Sequence, residues 1–167
     1  MQGFGSSPLE IMAQRAMLAG EIFCQAFWYS APFLDGTASD LAANGTTSVQ
    51  TQINSDSDFI FQSVNLQSWT AADTPEVDPD YLITLIMAGS GRQLMNNAQH
   101  VLNVTGSYAI NRIPNVLKFP VLLSANNTFT TTLQNLSAVA PTRVDVSYQG
   151  FKVFYTGGTR LKIFHTP

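Results

Sequence analysis

The stretch from Leu117 to Tyr155 constrains the fold of this chain more than any other. It divides into three runs with strand patterning, Leu117 to Ser124, Thr128 to Leu133 and Arg143 to Tyr155, the last with a bend expected at Gly150. In the third run Val144, Val146 and Tyr148 alternate with Arg143, Asp145 and Ser147, the period of two that gives a sheet one dry and one wet face. Asn126-Asn127 supplies turn chemistry, and Asn135 to Pro141 is a polar connection ending in proline. Neither link has room for a crossover helix. The three runs are therefore expected to be neighbouring antiparallel strands, and the predicted class is all-β, an antiparallel β-sandwich.

Ahead of the strands lies one helical signal. Ser7 opens a capping box with Glu10, and Pro8 takes the first helical position, where its missing N–H costs nothing. Leu9, Met12, Ala16, Ala19, Phe23 and Ala26 then recur at spacings of three and four, while Gln14, Arg15, Glu21 and Gln25 fall off that stripe. The pattern predicts a helix from Ser7 to Ala26, with residues 1–32 as an N-terminal helical arm and 33–167 as the sandwich domain. An apolar stripe needs a partner: the sandwich itself or, because Ala16 and Ala19 are small, a neighbouring subunit. Leu9, Met12, Ala16, Ala19 and Phe23 are the candidate interface residues.

Phe27-Trp28-Tyr29 and Ala31-Pro32-Phe33 form an aromatic cluster at the predicted helix-to-strand junction, a plug for the core or a platform for a sugar. Residues 35–47 read as an exposed connection, followed by strands at Thr47 to Ile53 and Asp58 to Leu66. Asp73, Glu76, Asp78 and Asp80 crowd one segment, but two prolines and the lack of an EF-hand glycine and distal glutamate make it a solvated acidic loop rather than a calcium site. Tyr81 to Met87 is a continuous apolar run, as in a strand buried on both faces, and Ala88 to Arg92 reads as its hairpin turn. Val101 to Thr105 and Tyr108 to Ile110 read as short strands or irregular loop, and Arg160 to Phe164 as a closing edge strand.

Composition narrows the function. Charged residues make up 11% of the chain, against about 25% in an average soluble domain, so Ser, Thr, Asn and Gln supply its polarity. Such side chains enter an interface without the desolvation cost of a lysine or glutamate, which favours assembly. A net charge of −3 and eight scattered Lys and Arg give no basic face for a phosphate backbone. Cys24 is alone, so no intramolecular disulfide forms. His100 and His165 stand apart from any nucleophile motif or metal spacing, and no nucleotide-binding loop is present. No catalytic, cofactor-binding or metal-ligating residue is expected. The chain opens without a signal peptide and holds no membrane-length apolar run, which implies synthesis in a cytoplasm and no membrane partner.

Asp56-Ser57-Asp58-Phe59 opening a strand, Ser90-Gly91-Arg92 after an apolar one, Phe119-Pro120-Val121, Asn126-Asn127-Thr128-Phe129-Thr130 and Arg143 to Lys152 form a sequence of strands and turns. This pattern, over roughly residues 47–155, resembles the small β-sandwich structural proteins of tailed bacteriophage virions. The resemblance implies a jelly-roll-like, multimeric, non-enzymatic protein of the virion, made in the bacterial host. It would be a capsid decoration (cement) protein, or a neck or collar protein, a homo-oligomer with a trimer favoured, partnered by major capsid or connector proteins. A different reading, a receptor- or glycan-binding domain of a tail fibre, would rest on Trp28, Tyr29 and Trp69.

Overall fold

The computed structural model describes residues 7–70, 74–76, 79–87, 94–95, 97–105 and 116–156. The hairpin turn expected at Ala88 to Arg92, the segment Tyr108 to Ile110, the strand Arg160 to Phe164, and Asp73, Asp78 and His165 lie outside them.

Among the described residues two four-stranded antiparallel sheets face each other. The first runs β1 (Ile22–Leu34), β8 (Arg143–Tyr155), β3 (Asp58–Trp69) and β6 (Val116–Leu123); the second runs β2 (Thr46–Gln52), β7 (Thr128–Asn135), β4 (Tyr81–Met87) and β5 (Gln99–His100). β1 pairs with β8, β2 with β7, β3 with β6 and β4 with β5. That is one long antiparallel ribbon rolled up on itself, and β3·β8 and β4·β7 are the pairings the rolling adds. The strand order is that of a jelly roll. It corrects one expectation: β6, β7 and β8 are strands, but consecutive ones lie in opposite sheets, because each link crosses the sandwich.

Period-two patterning decides what fills the core. Val144, Val146 and Tyr148 of β8 meet Tyr29, Ala31 and Phe33 of β1, Phe59, Phe61, Val64 and Leu66 of β3, and Phe129, Leu133, Ile83 and Leu85 from the second sheet. Phe61, Phe129 and Tyr148 pack edge to face at 4.6–5.9 Å between centroids, the geometry that aromatic quadrupoles favour. The buried Tyr148 hydroxyl bonds to Thr131, and Tyr81 donates to Glu76 at 3.0 Å while Ser68 donates to Tyr81 at 2.8 Å. β4 is not buried on both faces. Tyr81, Ile83, Leu85 and Met87 point inward, and Leu82, Thr84 and Ile86 between them are half-exposed. In the connection before β2, Leu41 is buried in the core.

The helix is shorter than its apolar spacing predicts. α1 spans Pro8–Leu18, and residues from Ile22 onward are strand. Gly20 stops it: with φ of +72° it follows the C-cap Ala19, its N–H bonds Met17 O at 3.0 Å and the Glu21 N–H bonds Ala16 O at 2.9 Å, a Schellman ending. Phe23, Ala26 and the aromatic cluster around Trp28 therefore sit on β1, paired with β8, and not on or beside a helix. α1 lies on the outer face of the first sheet, where Ala13 and Ala16 pack on Ile22, Ile60 and Val153. Its capping box also holds the helix down: Glu10 is buried, accepts from Ser7 and takes a 2.7 Å hydrogen bond from Gln62, the residue of β3 skipped by the register shift between Phe61 and Ser63. Residues Val101–Thr105, expected as strand or loop, form a helical turn, α2, that places Val101 in the core.

Candidate functional site

Three regions of the surface carry unusual chemistry. The first joins α1 to the start of β1. Ile11 and Leu18, seven residues apart and so on one helical face, are 41% and 83% exposed, and Phe23 is 57% exposed. Phe23 occupies the core side of β1, but at the end that the shorter strands of the second sheet do not cover, where its ring stands 6.1 Å from that of Phe154. Beside it, β1 is the outermost strand of the first sheet among the described residues, and its thirteen residues contain no charged side chain. Edge strands are normally blunted by lysine, by an inward charge or by proline; here Pro32 lies near one end only. The Thr51 hydroxyl donates to Ser30 O at 3.3 Å from the second sheet.

The five residues expected at an interface divide between inside and outside. Ala16 is buried against the sandwich, Leu9 is half-buried in the same cluster, and Met12 is half-buried beside a shallow depression lined also by Arg15, Ala19 and Glu21. Ala19 is exposed and Phe23 belongs to the strand. The stripe is thus spent mainly on the chain's own sheet. The outward face is Ile11 and Leu18, which the sequence stripe does not include.

The second region is the outer face of the first sheet beyond α1. Here a depression of about 350 Å³ is lined by Trp28, Asn65, Gln67, Trp69, Asp145, Ser147 and Gln149, among others. Register explains the grouping: Trp28 lies beside Gln149 and Trp69 beside Arg143, at two levels of β8, and Asn65 and Gln67 of β3 oppose Ser147 and Asp145. The Arg143 guanidinium sits over the Trp69 ring at 5.2 Å and bonds Asp145 Oδ2 at 2.6 Å. Asp145 Oδ1 is buried and has no hydrogen-bond partner among the described residues. Tyr29, grouped with these tryptophans in the sequence, points the other way into the core.

The third set is the acidic residues at the entry to β3 and in the connection from β3 to β4, namely Asp56, Asp58, Glu76 and Asp80, and each has a structural partner. Lys152 is buried, places its ammonium 4.3 Å from the centre of the Phe27 ring and reaches Asp56 Oδ1 at 3.4 Å. Ser57 donates to Asp56, and with Lys152 this holds the Asp56 carboxyl below its ordinary value. Asp58 is buried and accepts from Ala125 N at 2.8 Å and from the Tyr155 hydroxyl at 2.6 Å, tying β3 to the β6–β7 turn and to the end of β8. Glu76 is held by Tyr81 and Asp80 by His100. Among the described residues no three His, Cys, Asp or Glu side chains gather as a metal site would require. Burial pushes the Cys24 thiol up to about 11, away from the thiolate that nucleophilic chemistry uses.

No protein-family model and no curated protein match the sequence. Among solved structures the chain is similar to the Yersinia pseudotuberculosis-derived mitogen, at 9% identity and a TM-score of 0.35, over 83% of this chain and 92% of that one. It is similar to the core of Drosophila NLP at 10% identity and a TM-score of 0.33, over 74% and 95% of the two chains. It is also similar to VP2 of the infectious bursal disease virus subviral particle at 12% identity and a TM-score of 0.30, over 83% of this chain and 33% of that one. These likenesses are of the β-sandwich and carry no function with them.

Proposed function

We propose that the protein is a non-enzymatic structural component of a tailed-bacteriophage virion, a capsid decoration (cement) protein that homo-oligomerises and stabilises the particle. The observation that carries this reading is the uncharged outer edge of β1, with which no strand among the described residues pairs, flanked by exposed Ile11, Leu18 and Phe23. Left in water, such an edge is a template for strand addition and the apolar residues beside it are a cost; covered by another subunit, both become binding energy. The jelly-roll order supports the reading by analogy of fold, since this architecture recurs in capsid proteins. The strand and turn pattern of residues 47–155, which resembles phage structural proteins, supports it from the side of sequence. Buried area shared among copies, a trimer in the favoured case, multiplies weak contacts with a major capsid or connector protein, and no reaction is required.

Light scattering on the intact protein tests this, with binding to particles stripped of it as the second arm. The expected result is a discrete oligomer that Leu18→Glu and Phe23→Glu, at exposed sites, convert to a folded monomer. A strict monomer at high concentration that also fails to bind such particles would overturn the proposal.

A further inference from the structure

We propose that the outer face of the first sheet, between Trp28 and Trp69, is a binding groove for a neutral oligosaccharide. Trp28 shares β1 with the proposed assembly edge, but it stands on the outer face of the sheet, and this proposal does not depend on assembly.

A sugar ring offers an apolar face of C–H groups and a rim of hydroxyls that both donate and accept. The groove answers each part. Trp28, 58% exposed, supplies a flat aromatic surface at one end, and the half-buried Trp69, with Arg143 over its ring, closes the other. Between them lie the Asn65, Gln67 and Gln149 amides and the Ser147 hydroxyl, groups that donate and accept in one side chain. Ser63 donates to Gln149 at 3.3 Å, whereas the Asn65, Gln67 and Ser147 side chains hold no hydrogen-bond partner among the described residues. A sheet face packed against protein would bury apolar side chains here; this one presents unengaged amides.

Because Arg143 bonds Asp145 Oδ2, the groove carries no excess charge, which selects neutral glycans over sialylated, uronic or phosphorylated ones. Arg143 also covers the Trp69 ring, so it is a positioning residue for both the closed end of the groove and the carboxylate.

Length sets the size of the ligand. Trp28 is level with Gln149 and Trp69 with Arg143 along β8, a separation of about 20 Å at a rise of about 3.3 Å per residue. One ring does not span that distance. The groove fits a chain of several sugars running along the strand direction.

The test is an array of neutral and anionic glycans probed with the full chain, followed by titration of the strongest neutral hit with tryptophan fluorescence as readout. The expected result is binding to neutral oligosaccharides in preference to monosaccharides, a fluorescence change on titration, and a loss of affinity of about tenfold or more in Trp28→Ala and a smaller loss in Gln67→Ala. Trp28 is exposed, so its variant is expected to fold as the parent does, which circular dichroism checks. Absence of any neutral hit, binding restricted to anionic glycans, or undiminished binding by folded Trp28→Ala would each overturn the proposal.

Discussion

Gly150 shows how much a single residue decides here. It pairs with Phe61, next to the register shift in β3, and a Cβ built on it would stand 1.9 Å from the carbonyl oxygen of Ile60. The glycine is present because two strands come too close for any side chain, and β8 runs unbroken through it. Gly150→Ala is expected to destabilise the protein by about 3 kcal/mol or more, since the obstacle is backbone and not a side chain that can turn aside. Chemical denaturation of the variant checks this; a loss below about 1 kcal/mol would mean that the sheet yields. At this scale the sequence was partly legible. Glycine in a strand signals close approach or a bend, and only the cross-strand partner distinguishes the two. Glu10 was legible as a capping residue, but its bond to Gln62 was not, because those residues are brought together by the fold.

Among the elements, strands with strict alternation could be read almost to their ends. β8 matches its predicted span, and β2, β3, β6 and β7 differ by a few residues at their boundaries. The helix was harder, because Leu9 to Ala26 keeps spacings of three and four across two different structures. The local signals that divide it are Gly20, a C′ glycine, and the aromatic richness of the residues after Glu21. Assigning Phe23 to the strand leaves Ile11 and Leu18 as the outward residues, so the candidate assembly surface was half visible beforehand. The groove was visible only as two tryptophans, since Asn65, Gln67, Ser147 and Asp145 have nothing in common until β3 and β8 pair. The start of α1 makes its own prediction. Ser7 accepts from the Glu10 N–H and donates to the Glu10 carboxylate, so Ser7→Ala removes a cap and leaves a buried charge with fewer partners. A loss of about 1–2 kcal/mol is expected in thermal or urea unfolding, with Ser7→Thr close to the parent.

For the molecule as a whole, the ribbon pairing β1·β8, β2·β7, β3·β6 and β4·β5 dominates. None of the three long-range pairings is encoded locally, which is why the sheets were legible as a class and their order was not. The same topology makes folding slow. The first strand waits for the last, so loop-closure entropy is spent before most native contacts form, and refolding is expected in roughly milliseconds to seconds. Stopped-flow tyrosine and tryptophan fluorescence would check it, and microsecond refolding would contradict it.

The join between first and last strands has a mechanical side. Ile22 is level with Tyr155, so the start of β1 and the end of β8 lie side by side, bound there by Thr156 N to Glu21 O at 3.1 Å. A pull on the two ends would open β1 from β8 like a zip, one rung at a time, whereas a push or shear across the sheet faces meets every rung together. A sandwich of this build bears load well through its sides and poorly through the paired ends of its first and last described strands.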